Sequence, residues 1–222
     1  GSFALAPRVS AAYGMGDMVL GLHVPLAYYA PDADGADSQF VLGNVGVDFK
    51  YLSSMGGNLN LTLGGGLGVS AGFLELDDGE AMAHMVGAVS GKSFFYHGPE
   101  SLVIRPLFFA GMNMSGFFAE FEIGSEVAVP IMNTEGRDTE ADLFWGIAAG
   151  YRIIDMIIPM IEFKGLHGLT DGWDITMMWF SLGARLDLGG ILPHVRLSLP
   201  LDDADLGGTV DVIIDVGAVF TF

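Results

Sequence analysis

Polar and apolar side chains alternate along the last fourteen residues of the chain, TVDVIIDVGAVFTF. From Val210 to Phe222 every second residue is apolar, whereas the other parity carries Asp211 and Asp215 among smaller or branched side chains. Successive side chains of a β-strand point to opposite faces, and a helix would instead spread these carboxylates around its circumference. The pattern therefore predicts a strand with one wholly apolar face and one polar face.

Clusters of glycine, aspartate and asparagine divide the rest of the chain into similar alternating segments. These residues tolerate the backbone geometry of tight turns. The clusters lie at residues 14–17, 31–38, 54–58, 77–80, 97–100, 113–116, 133–140, 153–155, 170–174, 188–190 and 202–208. They leave twelve candidate strands. Each has about 10–16 residues, which exceeds the roughly 5–6 residues of most soluble strands and suffices for a tilted membrane strand of about 9–11 residues.

These strands predict an all-β fold, an antiparallel transmembrane β-barrel that occupies residues 1–222 as a single domain. Twelve strands satisfy the even number that is usual for single-chain bacterial barrels. Residues 81–96 fit either a strand or a long loop with a helical turn. If they form a loop, eleven strands remain, or ten if the N-terminal segment also leaves the wall. Counting twelve strands back from the C-terminus puts residues 31–38 at the barrel end opposite to the later long acidic turns.

The composition is unusually apolar for a chain without a hydrophobic helix. Hydrophobic residues make up 51% of the sequence and charged residues 16%, against about 25% charged residues in typical globular domains. No stretch supplies the roughly 20 helix-forming apolar residues of a transmembrane helix. A transmembrane barrel accounts for this combination, because its strands alternate lipid-facing with lumen-facing residues. The absence of cysteine is compatible with an oxidising envelope compartment.

Charged residues of the predicted strands fall on the face opposite to the apolar one. In VLGNVGVDFKY, for example, valine and phenylalanine share a face opposite Asp48 and Lys50. A lipid-facing Arg or Lys would cost about 2–4 kcal/mol at the membrane midplane, so these charges are expected inside the barrel. The same alternation places Lys92 and Glu126 in the lumen. The candidate path for a solute or ion consists of Arg8, Asp48, Lys50, Arg105, Glu120, Glu122, Arg152, Glu162, Lys164, Arg185, Asp187, Arg196, Asp211 and Asp215.

The net charge of −18 belongs to the turns and strand ends, because eight cations and eight acids cancel on the predicted lumenal face. Such acidity argues against nucleic acid as a partner. Acidic rims could concentrate cations or basic solutes, or recruit divalent ions that bridge lipopolysaccharide. The simpler interpretation is that they keep the surface hydrated.

Inward positions of residues 58–72 are asparagine, threonine, serine and glycine. A stripe of glycine removes side-chain volume and is expected to leave a groove along the wall. Opposing Arg and Glu side chains across such a groove could hold a zwitterionic or anionic solute. The alternative is an interior plugged by paired charges without a continuous pore, although twelve strands leave more bore than eight.

The last eight residues, DVGAVFTF, resemble the C-terminal β-signal of Gram-negative outer-membrane barrels. That signal has a polar residue, a glycine and two hydrophobic residues at fixed spacing, here Asp215, Gly217, Phe220 and Phe222. The resemblance implies location in the bacterial outer membrane, contact with its lipids and lipopolysaccharide, and recognition by the barrel-assembly machinery. It does not choose among the functions of such barrels, which include solute channels, autotransporter translocators and a phospholipase.

Few residues suggest chemistry beyond transport. None of the five histidines has the close spacing of a metal cluster, and we expect neither a metal nor a cofactor. His167 and Ser181 have opposite parities, so no catalytic pair and no enzymatic activity are predicted. The first hypothesis is a passive channel or porin for small solutes through a charge-lined lumen. The second is a non-conducting structural or docking barrel with protein partners in a larger outer-membrane assembly, and the third is a soluble lipocalin-like binder.

Overall fold

Thirteen β-strands make up the fold of the described residues. The computed structural model describes residues 3–5, 8–30, 38–56, 60–72, 95, 100–132, 138–154, 156–170, 176–201 and 212–221. The strands are β1 (Phe3–Leu5), β2 (Arg8–Met15), β3 (Met18–Ala30), β4 (Gln39–Leu42), β5 (Val45–Met55), β6 (Asn60–Ala71), β7 (Ser101–Met114), β8 (Phe117–Pro130), β9 (Glu140–Tyr151), β10 (Ile157–Gly168), β11 (Thr176–Leu186), β12 (Ile191–Pro200) and β13 (Ile213–Thr221). No helix within these ranges is long and apolar enough to cross a membrane.

Eleven of the strands in the described ranges close into a ring. Their order is β2, β3, β5, β6, β7, β8, β9, β10, β11, β12 and β13, which returns to β2. The short strands β1 and β4 both pair with the end of β3, where they continue the lines of β2 and β5. The predicted all-β antiparallel barrel of about twelve strands is confirmed. The closing pair of β13 and β2 is parallel, because an odd number of alternating strands leaves the first and the last running in the same direction.

The strand number depends on the segment between β6 and β7. These two strands pair directly, from Asn60 opposite Asn113 to Ala71 opposite Leu102, so β6 and β7 are neighbours in the wall. Of the ambiguous residues 81–96, only Phe95 lies within the described residues.

The odd strand number changes which end of the barrel each connection joins. The β3–β4 connection, which contains residues 31–37, joins the same end as the connections β6–β7, β8–β9, β10–β11 and β12–β13. The expectation that it lies at the opposite end is wrong, because one strand fewer lies between it and the C-terminus. We call this end the acidic end, since its five connections contain sixteen of the 27 acidic residues and only two of the nine basic ones. The other end, with its shorter connections, is the short-turn end.

The two faces of the wall differ sharply in polarity. Outward positions of the described strands carry valine, leucine, isoleucine, phenylalanine, methionine and other uncharged residues, with no Asp, Glu, Lys or Arg. On β13, for example, Ile214 and Val216 are 60% and 61% exposed, whereas on β5 the inward Asp48 is 7% exposed. An apolar outer surface and a polar interior are the reverse of a water-soluble domain.

One cluster of polar side chains on the outer face is hydrogen-bonded internally. The indole N–H of Trp145 donates to Nε2 of His167 at 3.1 Å, and Nδ1 of His167 lies 3.4 Å from the hydroxyl of Thr176. All three are outward residues on neighbouring strands, near the acidic end. Pairing of this kind removes the cost of leaving a polar group in apolar surroundings.

Candidate lumenal site

Most predicted path residues lie on inward positions of the ring. These are Arg8, Asp48, Lys50, Arg105, Glu120, Glu122, Glu162, Lys164, Arg185, Arg196 and Asp215. Arg152 and Asp187 instead lie in two connections at the short-turn end. Asp211 and Lys92 fall outside the described residues, as does Phe222 of the predicted assembly signal. Gly217 and Phe220 belong to β13, where Gly217 pairs with residues of β2 and β12.

An ion-pair network links four strands across the inner wall. Lys164 on β10 lies 3.0 Å from Glu122 on β8 and 3.3 Å from Glu162. Glu162 also accepts from Arg196 on β12 at 2.7 Å, and Arg196 reaches Asp215 on β13 at 3.2 Å. The Glu162 side chain is 4% exposed, so two cations enclose a carboxylate that is almost fully removed from solvent.

Three polar residues on the opposite wall form a hydrogen-bonded chain that the sequence did not reveal. The hydroxyl of Ser10 lies 2.9 Å from Nδ1 of His23, and Nε2 of His23 contacts Oδ1 of Asp48. The other carboxylate oxygen of Asp48 lies 3.4 Å from the Lys50 ammonium group. The sequence could show that each of these residues has the inward parity of its strand. It could not show that they meet, because their alignment depends on the register between paired strands.

Two cavities occupy the lumen and share a boundary. The larger, about 500 Å³, reaches the short-turn end, where Asn60 and Asn113 contribute to its lining. The smaller, about 270 Å³, is lined by Ser10 and His23 among others and lies deeper in the barrel. Both cavities are lined by Lys50, Leu107, Glu122, Lys164 and Arg196. We call these five residues the charged belt, since they separate a large chamber from a small chamber.

A packed layer lies between the small chamber and the acidic end. The Arg105 guanidinium lies 4.2 Å from the ring centroid of Phe144 and 5.5 Å from that of Phe95. The buried Glu126 lies 3.6 Å from Arg105 and accepts the backbone N–H of Phe95 at 3.0 Å. Beside this layer, a buried apolar cluster occupies the half of the lumen near the acidic end. Its members are Phe144, Leu166, Met177, Trp179 and Ile213.

The glycine stripe on β6 does not leave an empty groove. The ring of Phe109 lies against Gly64, in space that a Cβ atom would occupy. The ring of Phe95 covers Gly68 in the same way, 3.0 Å from the position of a Cβ atom. The stripe therefore provides flat sites for aromatic rings, and sequence alone could not distinguish these two outcomes because the rings come from other segments.

Two inward charges lack a partner within the part of the chain that the structure describes. The side chains of Glu120 on β8 and Arg185 on β11 make no ion pair or hydrogen bond there, and both line the large chamber. Glu120 is exposed to this chamber, and Arg185 is half-buried. They contrast with the charged belt, whose three cations each lie within 4 Å of a carboxylate.

The two predicted path residues at the short-turn end pair with each other. Arg152 donates to Oδ2 of Asp187 at 3.0 Å, and the backbone N–H of Gly189 donates to Oδ1 at 3.2 Å. The pKa of Asp187 lies below its ordinary value because its carboxylate accepts hydrogen bonds from the backbone N–H of Gly189 and, with a smaller effect, from Arg152. This contact joins two neighbouring hairpins at the rim.

Sequence comparison finds no matching family model and no curated protein with significant similarity. Within the described ranges, no group of three or more His, Asp or Glu side chains is placed to hold a metal ion. The functional assignment therefore depends on the geometry of the barrel.

Proposed function

We propose that this protein is a bacterial outer-membrane barrel that acts as a passive channel for small polar solutes. The observation that carries the proposal is the segregation of the wall, with uncharged outward residues around the ring and charged residues around two adjoining chambers. A continuous apolar exterior of this extent suits lipid, since water-soluble monomers rarely expose large apolar patches. Lipid would also account for the absence of outward charges on the described strands, since such charges are costly near the midplane.

The ends of the barrel support an orientation in that membrane. Long connections of bacterial barrels face the outside of the cell and short turns face the periplasm. We therefore place the acidic end outside, where divalent ions would bridge it to lipopolysaccharide. The alternation of β13, with Gly217 and Phe220, suits recognition by the barrel-assembly machinery.

Small ions and solutes would pass between the chambers at the charged belt. Side chains form this belt, and the ammonium groups of Lys50 and Lys164 lie at the ends of long, flexible side chains. Planar bilayers containing the purified barrel test the proposal. Steady single-channel steps, with a reversal potential in asymmetric salt, are expected, and silence of a correctly folded sample would contradict the channel.

A non-conducting docking barrel is the second candidate, and the packed layer favours it. The Arg105 guanidinium stacks near two aromatic rings, and the apolar cluster occupies the same half of the lumen. If this layer seals the acidic end, the chambers are closed on one side.

Removing the Phe95 ring tests whether the packed layer limits passage. Phe95 is 1% exposed and contributes to the lining of the small chamber. Because the narrowest section limits current, Phe95→Ala is expected to raise single-channel conductance well above that of the unmodified protein. Phe109→Ala serves as the control, since Phe109 lines the large chamber, which is already open. Equal conductance of Phe95→Ala and the unmodified barrel would show that this layer does not limit passage.

We propose no hydrolase activity, although Ser10, His23 and Asp48 form a hydrogen-bonded chain. Ser10 lies within β2, which pairs with β3 on one side and β13 on the other, so neighbouring backbone N–H groups serve the sheet rather than an oxyanion hole. A fluorophosphonate reagent is therefore expected to leave the folded protein unlabelled, beside a serine hydrolase as positive control. Labelling that disappears in Ser10→Ala would contradict this expectation.

A further inference from the structure

The large chamber contains two opposite charges that no described residue neutralises. Within the described residues, Glu120 and Arg185 have no ion-pair or hydrogen-bond partner, whereas the belt cations are paired with carboxylates. Both free charges line the same cavity of about 500 Å³. Ligand pockets for small molecules commonly have volumes of about 300–1,000 Å³, so this chamber has room for one small organic molecule.

The rest of the lining supplies an apolar surface. Leu52, Leu107, Phe109, Phe118 and Met160 all line the chamber on inward positions. A pocket with apolar walls and a few placed charges fixes the orientation of a ligand through the charges and contacts its body through the walls. The free charges differ in sign and lie on strands separated by β9 and β10. A ligand with one charge cannot use both of them.

We propose that the large chamber binds a small zwitterion with an ammonium group, a carboxylate and a partly apolar body. The ammonium group donates to the Glu120 carboxylate, and the Arg185 guanidinium donates to the ligand's carboxylate. This inference deepens the proposed channel function and rests on it, since it names the class of solute that the channel would carry. A guanidinium suits the ligand's carboxylate because its fork of donors matches the two oxygens.

Binding to the refolded barrel in detergent, measured by isothermal titration calorimetry, tests the inference. The zwitterionic probes are L-phenylalanine and 5-aminovalerate, which separate the two charges by different lengths. N-acetyl-L-phenylalanine and L-phenylalaninamide each keep only one of the charges. At least one of the two zwitterions is expected to bind. If phenylalanine binds, its two single-charge analogues are expected to bind at least about tenfold more weakly than phenylalanine itself.

Variants at the two positions identify the site. Glu120→Gln and Arg185→Gln are each expected to weaken zwitterion binding at least about tenfold. The double variant Glu120→Arg with Arg185→Glu is expected to restore binding, because the ligand can turn around. Asp17→Asn and Arg152→Gln are matched controls that change the same net charges outside the chamber, and both are expected to bind like the unmodified protein. Neither side chain has a partner among the described residues, so both single variants are expected to fold.

The same samples in planar bilayers separate this inference from the channel function. A barrel that conducts but binds neither zwitterion, or binds both equally in Glu120→Gln and Arg185→Gln, overturns the inference and leaves the channel intact. A silent barrel whose zwitterion binding depends on both residues supports the site and contradicts the channel. Conduction that zwitterions reduce in the unmodified barrel, and not in the single variants, supports both.

Discussion

Glu162→Gln is expected to destabilise the barrel by about 3 kcal/mol, toward the lower end of the range for breaking a buried ion pair. Glu162 lies between Lys164 and Arg196, and its side chain is 4% exposed. Glutamine keeps the shape of the side chain, so the loss is electrostatic and leaves no cavity. Each cation retains a second carboxylate, Glu122 or Asp215, which limits the loss. Urea unfolding in lipid vesicles, followed by tryptophan fluorescence, measures the effect.

The matched control lies on β8 in the same chamber. Glu120→Gln removes an identical charge that has no partner within the described residues, so we expect a change within about 0.5 kcal/mol. Glu162→Gln combined with Arg196→Gln is expected to destabilise the barrel by less than the sum of the two single variants, because both remove the same contact between Glu162 and Arg196. Equal destabilisation by Glu120→Gln and Glu162→Gln would mean that the observed network does not determine stability.

The direction in which each side chain points could be predicted from the sequence. Side chains of a strand alternate between its two faces, which is a local property. Once the apolar residues of a strand are assigned to one face, the remaining residues are assigned to the other. That reasoning placed Asp48 and Lys50 inward, opposite the apolar residues of the same segment, and the structure agrees. Most connections also followed from composition, since nine of the eleven glycine and aspartate clusters each overlap one connection, whereas 77–80 and 97–100 both fall in the β6–β7 connection.

The strand number and the contacts inside the barrel could not be predicted in the same way. Residues 81–96 have enough apolar side chains for a strand, but the direct pairing of β6 with β7 depends on register between distant segments. The position of Phe95 inside the lumen has the same origin. An aromatic residue in an alternating segment suits an outward position equally well, and only packing against Gly68 and Arg105 distinguishes the two.

The contacts of the charged belt show what non-local pairing adds. Parity in the sequence predicted that Glu162, Lys164 and Arg196 point inward, but it could not predict which of the charged side chains would pair. In the barrel, Glu162 pairs across to Ser181 on β11, and Arg196 on β12 reaches over that strand to the carboxylate. Arg196 pairs with Gly183 on β11, and its Cγ lies 2.7 Å from the position that a Cβ atom would take there, so the glycine leaves room for the arginine side chain. The network therefore depends on strand stagger, which the closure of the ring sets.

A cation on the outer wall gives the most direct test of the membrane assignment. Ile161 is 45% exposed near the middle of β10, and its neighbours across the sheet are Ala149 and Leu182. If lipid covers this surface, Ile161→Arg is expected to cost about 2–4 kcal/mol in vesicles, whereas a water-exposed site would change stability by only about 0.5 kcal/mol.

The control for Ile161→Arg is the same substitution at the rim. Ile153 is 65% exposed in the β9–β10 connection at the short-turn end, where an arginine is expected to cost about 0–1 kcal/mol. Exposure is greater at Ile153, so solvent access alone cannot explain a larger penalty at Ile161. Two equal and small penalties would place the outer wall in water and contradict the outer-membrane channel. A penalty that falls from the centre of β10 toward its end would instead follow the depth dependence that a bilayer imposes.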